Sequence, residues 1–78
     1  MLKEKILIKF GSRLKSLRSE RGMSQETLAD SCELDRTYIS GLERGVRNPS
    51  LICIVRVAMG LNIGAEELIK GIDSDYEN

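Results

Sequence analysis

Apolar residues recur along this chain at three- and four-residue intervals, interrupted by glycines and short polar runs. Ile6, Phe10, Leu14 and Leu17 share one helical face, and Gly22 follows Arg21 where a left-handed residue would close the helix. A first helix is therefore predicted over about residues 5–21. Ser24 is placed to cap a second helix over about 25–32, with Met23 and Leu28 flanking the cap as a hydrophobic staple. That helix turns Leu28 and Ala29 inward. Asp35 is expected to cap a third helix, Leu34 and Ile39 repeat the staple, and Gly45 stops the helix after Arg44. Asn48-Pro49-Ser50 reads as a turn and a start signal for a fourth helix, about 51–59, that ends at Gly60. Gly64 opens a last short helix, where Ile63 and Leu68 sit at staple spacing once more.

The stretch from Leu51 to Met59 is nearly all apolar and rich in β-branched residues, so a buried strand is conceivable there. A lone strand would have no partner in this chain. The fold class is therefore all-α: one domain spanning residues 1–78, a compact five-helix bundle. Within the fourth helix, Leu51, Ile54, Val55 and Ala58 form one face and Ile52 and Met59 another. A helix apolar nearly all round needs cover on both sides. The domain core covers one side, and a second subunit is expected to cover the other.

The second and third helices are joined by the short turn Cys32-Glu33-Leu34-Asp35, the spacing of a helix-turn-helix. In the third helix Ile39 and Leu42 point to the core, leaving Arg36, Thr37, Ser40, Gly41 and Arg44 on the outer face. A purely structural surface helix would interleave glutamate and lysine; this one offers donors to an anion.

Charge adds to that picture. The 12 basic and 12 acidic residues cancel, yet residues 1–47 carry a net +3 and residues 48–78 a net −3. One end can face a polyanion while the other faces away. The chain has no histidine, no phosphate-cradling glycine loop and no nucleophile elbow, so an enzyme is not expected. Its two cysteines, Cys32 and Cys53, lack zinc-like or CxxC spacing and read as small core residues. No metal, cofactor or small-molecule ligand is expected. No apolar run approaches the length of a membrane span and no leader is recognisable, which places the protein in the cytoplasm. With 78 residues the core is small, and oligomerisation is the remaining means of reinforcing it.

The run Met23-Ser24-Gln25-Glu26-Thr27-Leu28-Ala29, then Leu34 through Gly45, then Asn48-Pro49-Ser50-Leu51, resembles the phage Cro/repressor-like (XRE) helix-turn-helix family over about residues 10–68. Within it, Leu34-Asp35-Arg36-Thr37-Tyr38-Ile39-Ser40 is most similar to the controller proteins of restriction-modification systems. The resemblance implies a lambda-repressor-like fold and a dimer on a palindromic operator. It also implies activation and, at higher concentration, repression of the regulator's own gene and the endonuclease gene. Gln25 would hold a phosphate at the start of the second helix, or stay solvated. Arg36 would reach guanine O6/N7 and Thr37 a thymine methyl or base edge, or each only a phosphate. Tyr38 would bond phosphate or pack half-buried, Ser40 would serve backbone or base edge, and Arg44, Arg47 and Asn48 would meet phosphates or stand idle.

Arg18 and Glu43 are implied as a partly buried ion pair that orients the third helix. Ile52, Met59, Leu61, Ile63, Ile69 and Ile72 make up the candidate homodimer interface. Glu26, Asp30 and Glu33, on or after the second helix, correspond to the acidic RNA polymerase-facing patch of phage activators, or are simply solvated. The same fold would also serve a generic repressor of the family. An antitoxin would use it as well, although only the acidic tail Asp73 to Asn78 is left over for a toxin. A protein-interaction module without DNA would keep the helices but not need Arg36, Arg44 and Arg47.

Overall fold

The amphipathic stripe of the first segment forms α1, Leu2–Glu20, in the computed structural model, which describes residues 1–74. Four further helices follow: α2 (Gln25–Cys32), α3 (Arg36–Glu43), α4 (Leu51–Leu61) and α5 (Ala65–Leu68). Among the described residues there is no strand, and Leu51–Leu61 is helical throughout. Of the acidic tail, residues 75–78 lie outside the described residues.

Helix α1 starts three residues earlier than its apolar stripe predicts. Leu2, Lys3, Glu4 and Lys5 are good helix formers, and Lys5 N–H already donates to Met1 O at 3.1 Å, so no packing is required to begin the helix. At its end Arg21 N–H donates to Arg18 O and Gly22 takes a positive φ of 65°, as the sequence leads one to expect. Ser24 accepts the Thr27 N–H at 3.0 Å and caps α2; Ser50 does the same for Cys53 N–H and α4. Asp35 occupies the cap position of α3 without a side-chain bond, contrary to expectation.

Phe10, Leu14 and Leu17 of α1 meet Leu28, Ile39, Leu42, Val57, Leu61 and Leu68 in one core. Each of these side chains contributes roughly 1.5–3 kcal/mol by leaving water. Helix α1 packs on α3 and α5, α2 packs on α3 and α4, and α4 packs on α5. Two arginines stitch α1 to the rest. Arg13 donates to Glu67 O at 2.9 Å and Arg21 to Leu61 O at 3.0 Å, each reaching a backbone carbonyl near the end of another helix. Cys32 and Cys53 are buried free thiols, and burial pushes the Cys32 thiol up, which keeps it protonated. No helix of the described residues is long and apolar enough to cross a membrane.

Helix α4 departs most from the sequence reading. Its core face is Cys53, Val57, Ala58 and Leu61, with Ile54 at the margin, whereas Leu51 and Val55 turn outward beside Ile52 and Met59. It also runs through Gly60 and closes at Asn62, whose φ is 61°. Gly60 is there for proximity: a Cβ would sit 2.6 Å from Cys32 Sγ. The inner face thus combines the large Val57 and Leu61, which fill the core, with small residues, of which Gly60 sits where α2 crosses too closely for a side chain.

A second close crossing joins α1 to α3. A Cβ on Gly11 would press on the Leu42 carbonyl and come within 2.5 Å of the Glu43 carbonyl. Both obstacles are backbone and cannot rotate away. Gly11→Ala is therefore expected to destabilise the protein by about 2–3 kcal/mol, as overpacking does, despite the better helix propensity of alanine. Urea unfolding measures this; an unchanged midpoint would show that α1 and α3 can separate freely.

Candidate nucleic-acid interface

The turn between α2 and α3 is closed by backbone bonds that any sequence could make and by one residue conformation that few adopt. Glu33 N–H donates to Asp30 O at 3.2 Å and Leu34 N–H to Ala29 O at 2.9 Å, with Glu33 itself left-handed at φ 59°. Leu34 then packs against the core and sets the start of α3. Ile39 and Leu42 anchor α3 with no exposed surface, and this fixes which residues face outward.

Arg36 and Thr37 are exposed in the first turn of α3, Tyr38 and Ser40 are half-buried at its flank, and Arg44, Arg47 and Asn48 are exposed beyond its end. Gly41, expected among the outer residues, is buried. The Arg47 stem lies over it, so close that a Cβ would be 2.7 Å from Arg47 Cγ, and the guanidinium stands 5.5 Å from the centre of the Tyr38 ring. Burial holds the Tyr38 hydroxyl above its ordinary pKa, so the ring stays neutral with a proton to donate.

The only carboxylate within α3 points the other way. Glu43 accepts Arg18 Nε–H at 2.6 Å and Arg18 Nη2–H at 3.0 Å, with side-chain exposures of 12% for Arg18 and 3% for Glu43. Arg18 Nη1–H also donates to Met23 O at 2.7 Å, tying the α1–α2 connection to the same pair. Hydrogen bonding to Glu43 raises the Arg18 guanidinium above its ordinary value against the opposing effect of burial, so Arg18 stays charged.

Gln25 joins this group, a link that no sequence pattern signals across 18 positions. Its Nε2 donates to Glu43 Oε1 at 3.0 Å, and its Oε1 accepts Arg36 Nη1–H at 3.4 Å. The expectation that the Gln25 amide is available to a phosphate meets a side chain already engaged at both ends. The structure thus brings Gln25, Arg36, Glu43 and Arg18 into one chain of bonds and gathers Tyr38 with Arg47. Among the described residues it records no such bond for Thr37, Ser40, Arg44 or Asn48.

The remaining candidates fall elsewhere on the surface. Ile52 and Met59 are 72% and 73% exposed and, with Leu51, Val55 and the partly exposed Ile69, leave an apolar area along α4 and after α5. Leu61 is corrected: at 1% exposure it belongs to the core, because α4 continues past Gly60 and carries Leu61 one turn beyond Val57 and Ala58 on the inner face. Ile63 and Ile72 are half-buried against that core. Glu26, Asp30 and Glu33 are exposed along α2 and its C-terminal turn, and the Glu33 carboxylate is 3.6 Å from Arg56.

The helix-turn-helix family model matches residues 14–68. The control protein C.MunI from a Mycoplasma species is 44% identical over 71 residues, which are 90% of this chain and 96% of that protein. Among solved structures, the restriction-modification controller protein C.AhdI from Aeromonas hydrophila is 53% identical with a TM-score of 0.79, the match covering 80% of this chain and 94% of that one. A tetramer of the controller protein C.Esp1396I in complex with its natural 35 base-pair operator is 36% identical with a TM-score of 0.79, over 90% of this chain and 92% of that one.

Removing one partner of a buried pair strands the other charge. Glu43→Ala should lower stability by about 3–5 kcal/mol, whereas an exposed pair such as Arg56 with Glu33 should contribute under about 1 kcal/mol. Parallel urea titrations of Glu43→Ala and Glu33→Ala check the contrast, and equal effects would refute it.

Proposed function

Because this chain belongs to the helix-turn-helix family HTH_3, its relatives including restriction-modification controllers, and is a DNA-binding transcription regulator rather than an enzyme, we propose that it is itself such a controller, binding a palindromic operator as a homodimer. The observation that carries this reading is the outer face of α3. It presents Arg36 and Thr37 to solvent, with Arg44, Arg47 and Asn48 following, and its one carboxylate is folded beneath.

Such a face suits the major groove. Arg36 makes a bidentate contact to guanine, Thr37 meets a thymine methyl or base edge, and Ser40 and Tyr38 serve the groove edge or the backbone. Arg44, Arg47 and Asn48 fix register on the phosphates, which carry affinity without sequence information. One helix reads only a few base pairs. A two-fold dimer places two such helices about 34 Å apart, one turn of duplex, and so demands a palindrome.

The exposed apolar residues Leu51, Ile52, Val55, Met59 and Ile69 supply a dimer contact for that arrangement. Regulation then follows protein concentration: dimers activate the regulator's own gene and the endonuclease gene, and further occupancy represses them. The tetramer of C.Esp1396I on its operator supports the idea of additional occupancy. Activation requires RNA polymerase, and Glu26, Asp30 and Glu33 form the acidic surface offered to it. The expected compartment is the cytoplasm, where the genes are.

Two measurements test the reading. Arg36→Ala and Thr37→Ala should each lower the preference for the cognate operator over random duplex by about 5- to 150-fold in salt-controlled anisotropy titrations. Unchanged preference in both would overturn base reading by α3. Separately, Met59→Glu should leave a folded monomer in sedimentation at concentrations where the parent is dimeric. A dimer of undiminished strength would move the interface away from α4.

A further inference from the structure

Gln25 stands between a buried anion and the first arginine of α3, and the chemistry of its amide allows only one orientation there. A carboxylate accepts hydrogen bonds and donates none, so Glu43 Oε1, 3.0 Å away, admits only the nitrogen end of the amide. The oxygen end must then point away from Glu43. It lies 3.4 Å from Arg36 Nη1, where it is an acceptor for the guanidinium. Glu43 cannot turn to relax this choice, because Arg18 grips both carboxylate oxygens from α1. The polarity of the amide is therefore set from inside the protein and read out at its surface.

We propose that Gln25 is a positioning residue for Arg36: the Glu43 carboxylate orients the amide, and the amide oxygen holds the guanidinium near one pose before DNA arrives. Arg36 is a long, exposed side chain with much rotamer freedom to lose, and an acceptor waiting in the free protein removes part of that loss from the binding step. The bond to Arg36 is long enough to yield when a guanine offers better acceptors, so Gln25 biases the arginine without capturing it. The role assigned here rests on Arg36 reading a base. It differs from the phosphate contact first expected of Gln25, since here the side chain acts through a neighbour and not on the DNA.

Gln25→Met keeps the length of the side chain and removes both hydrogen bonds. The test combines this variant with Arg36→Ala in a double-mutant cycle on cognate operator and random duplex, using the full chain. Gln25→Met alone should weaken cognate binding about five- to tenfold and leave random binding unchanged. In the Arg36→Ala background it should cause no further loss. An equal loss in both backgrounds would mean an independent contact, and no loss in the parent would mean no role; either result overturns the proposal. Nitrogen-15 relaxation of Arg36 Nε–H in the free protein supplies the arm that does not depend on DNA. The group should be more mobile in Gln25→Met than in the parent, at matched thermal stability, and equal mobility would overturn the proposal. Should Arg36→Ala leave operator preference intact, the base-reading assignment fails on its own, while the relaxation arm still judges the link between Gln25 and Arg36.

Discussion

A carboxylate shut away from water beneath α3 constrains this molecule more than any other single group. Left alone, the Glu43 charge would be strongly unfavourable, and it persists because donors arrive from α1 and from the first residue of α2. Three helices are thereby tied at one point. The angle of α3 cannot change without breaking bonds to an ion that has nowhere else to find them. The same inward turn removes the helix's one negative charge from the surface proposed to meet DNA. Gly11 completes the arrangement, since only a residue without a Cβ lets α1 lie against the last carbonyls of α3.

On the opposite side the organising quantity is the rotation of α4. Helix α4 is apolar almost all round, so periodicity alone does not say which face turns inward. Val57 and Leu61 fill the core beside the small Cys53 and Ala58, Gly60 leaves room for Cys32 of α2, and Leu51, Ile52 and Met59 are left in solvent. The same rotation of α4 that closes the core leaves the apolar area proposed as the dimer contact. A domain this small gains little from its own core, so covering such a surface with a second copy would add to its stability.

Local signals were legible in the sequence because they are settled within a few residues. The Ser24 cap, the Met23 and Leu34 staples and the left-handed Gly22 and Gly45 all follow from neighbours three to five positions away. The outer and inner faces of α3 were equally readable, Gly41 excepted, because Ile39 and Leu42 leave no choice of rotation. The rest depended on contacts between distant residues. Gly60 looked like a helix stop and is a point of contact with Cys32, Leu61 looked like interface and is core, and Gly41 disappeared under Arg47. Gln25 carried no mark of its attachment to Glu43, for nothing in a first-turn glutamine distinguishes one that waits for a phosphate from one already bonded.

Glu33 holds a backbone conformation that asparagine or glycine adopts more readily, at a penalty of about 1–2 kcal/mol for an ordinary side chain. Its carbonyl is bound by Arg56, an anchor that survives any replacement, while the carboxylate's own pairing with Arg56 is weak. The turn between the two central helices is therefore sprung, and a relaxed variant would be hardier yet would leave Arg56 without its carboxylate at that corner. Durability and whatever answers to the corner's charge pull this one position in opposite directions, and a thermostability screen run without a promoter assay would choose between them blindly.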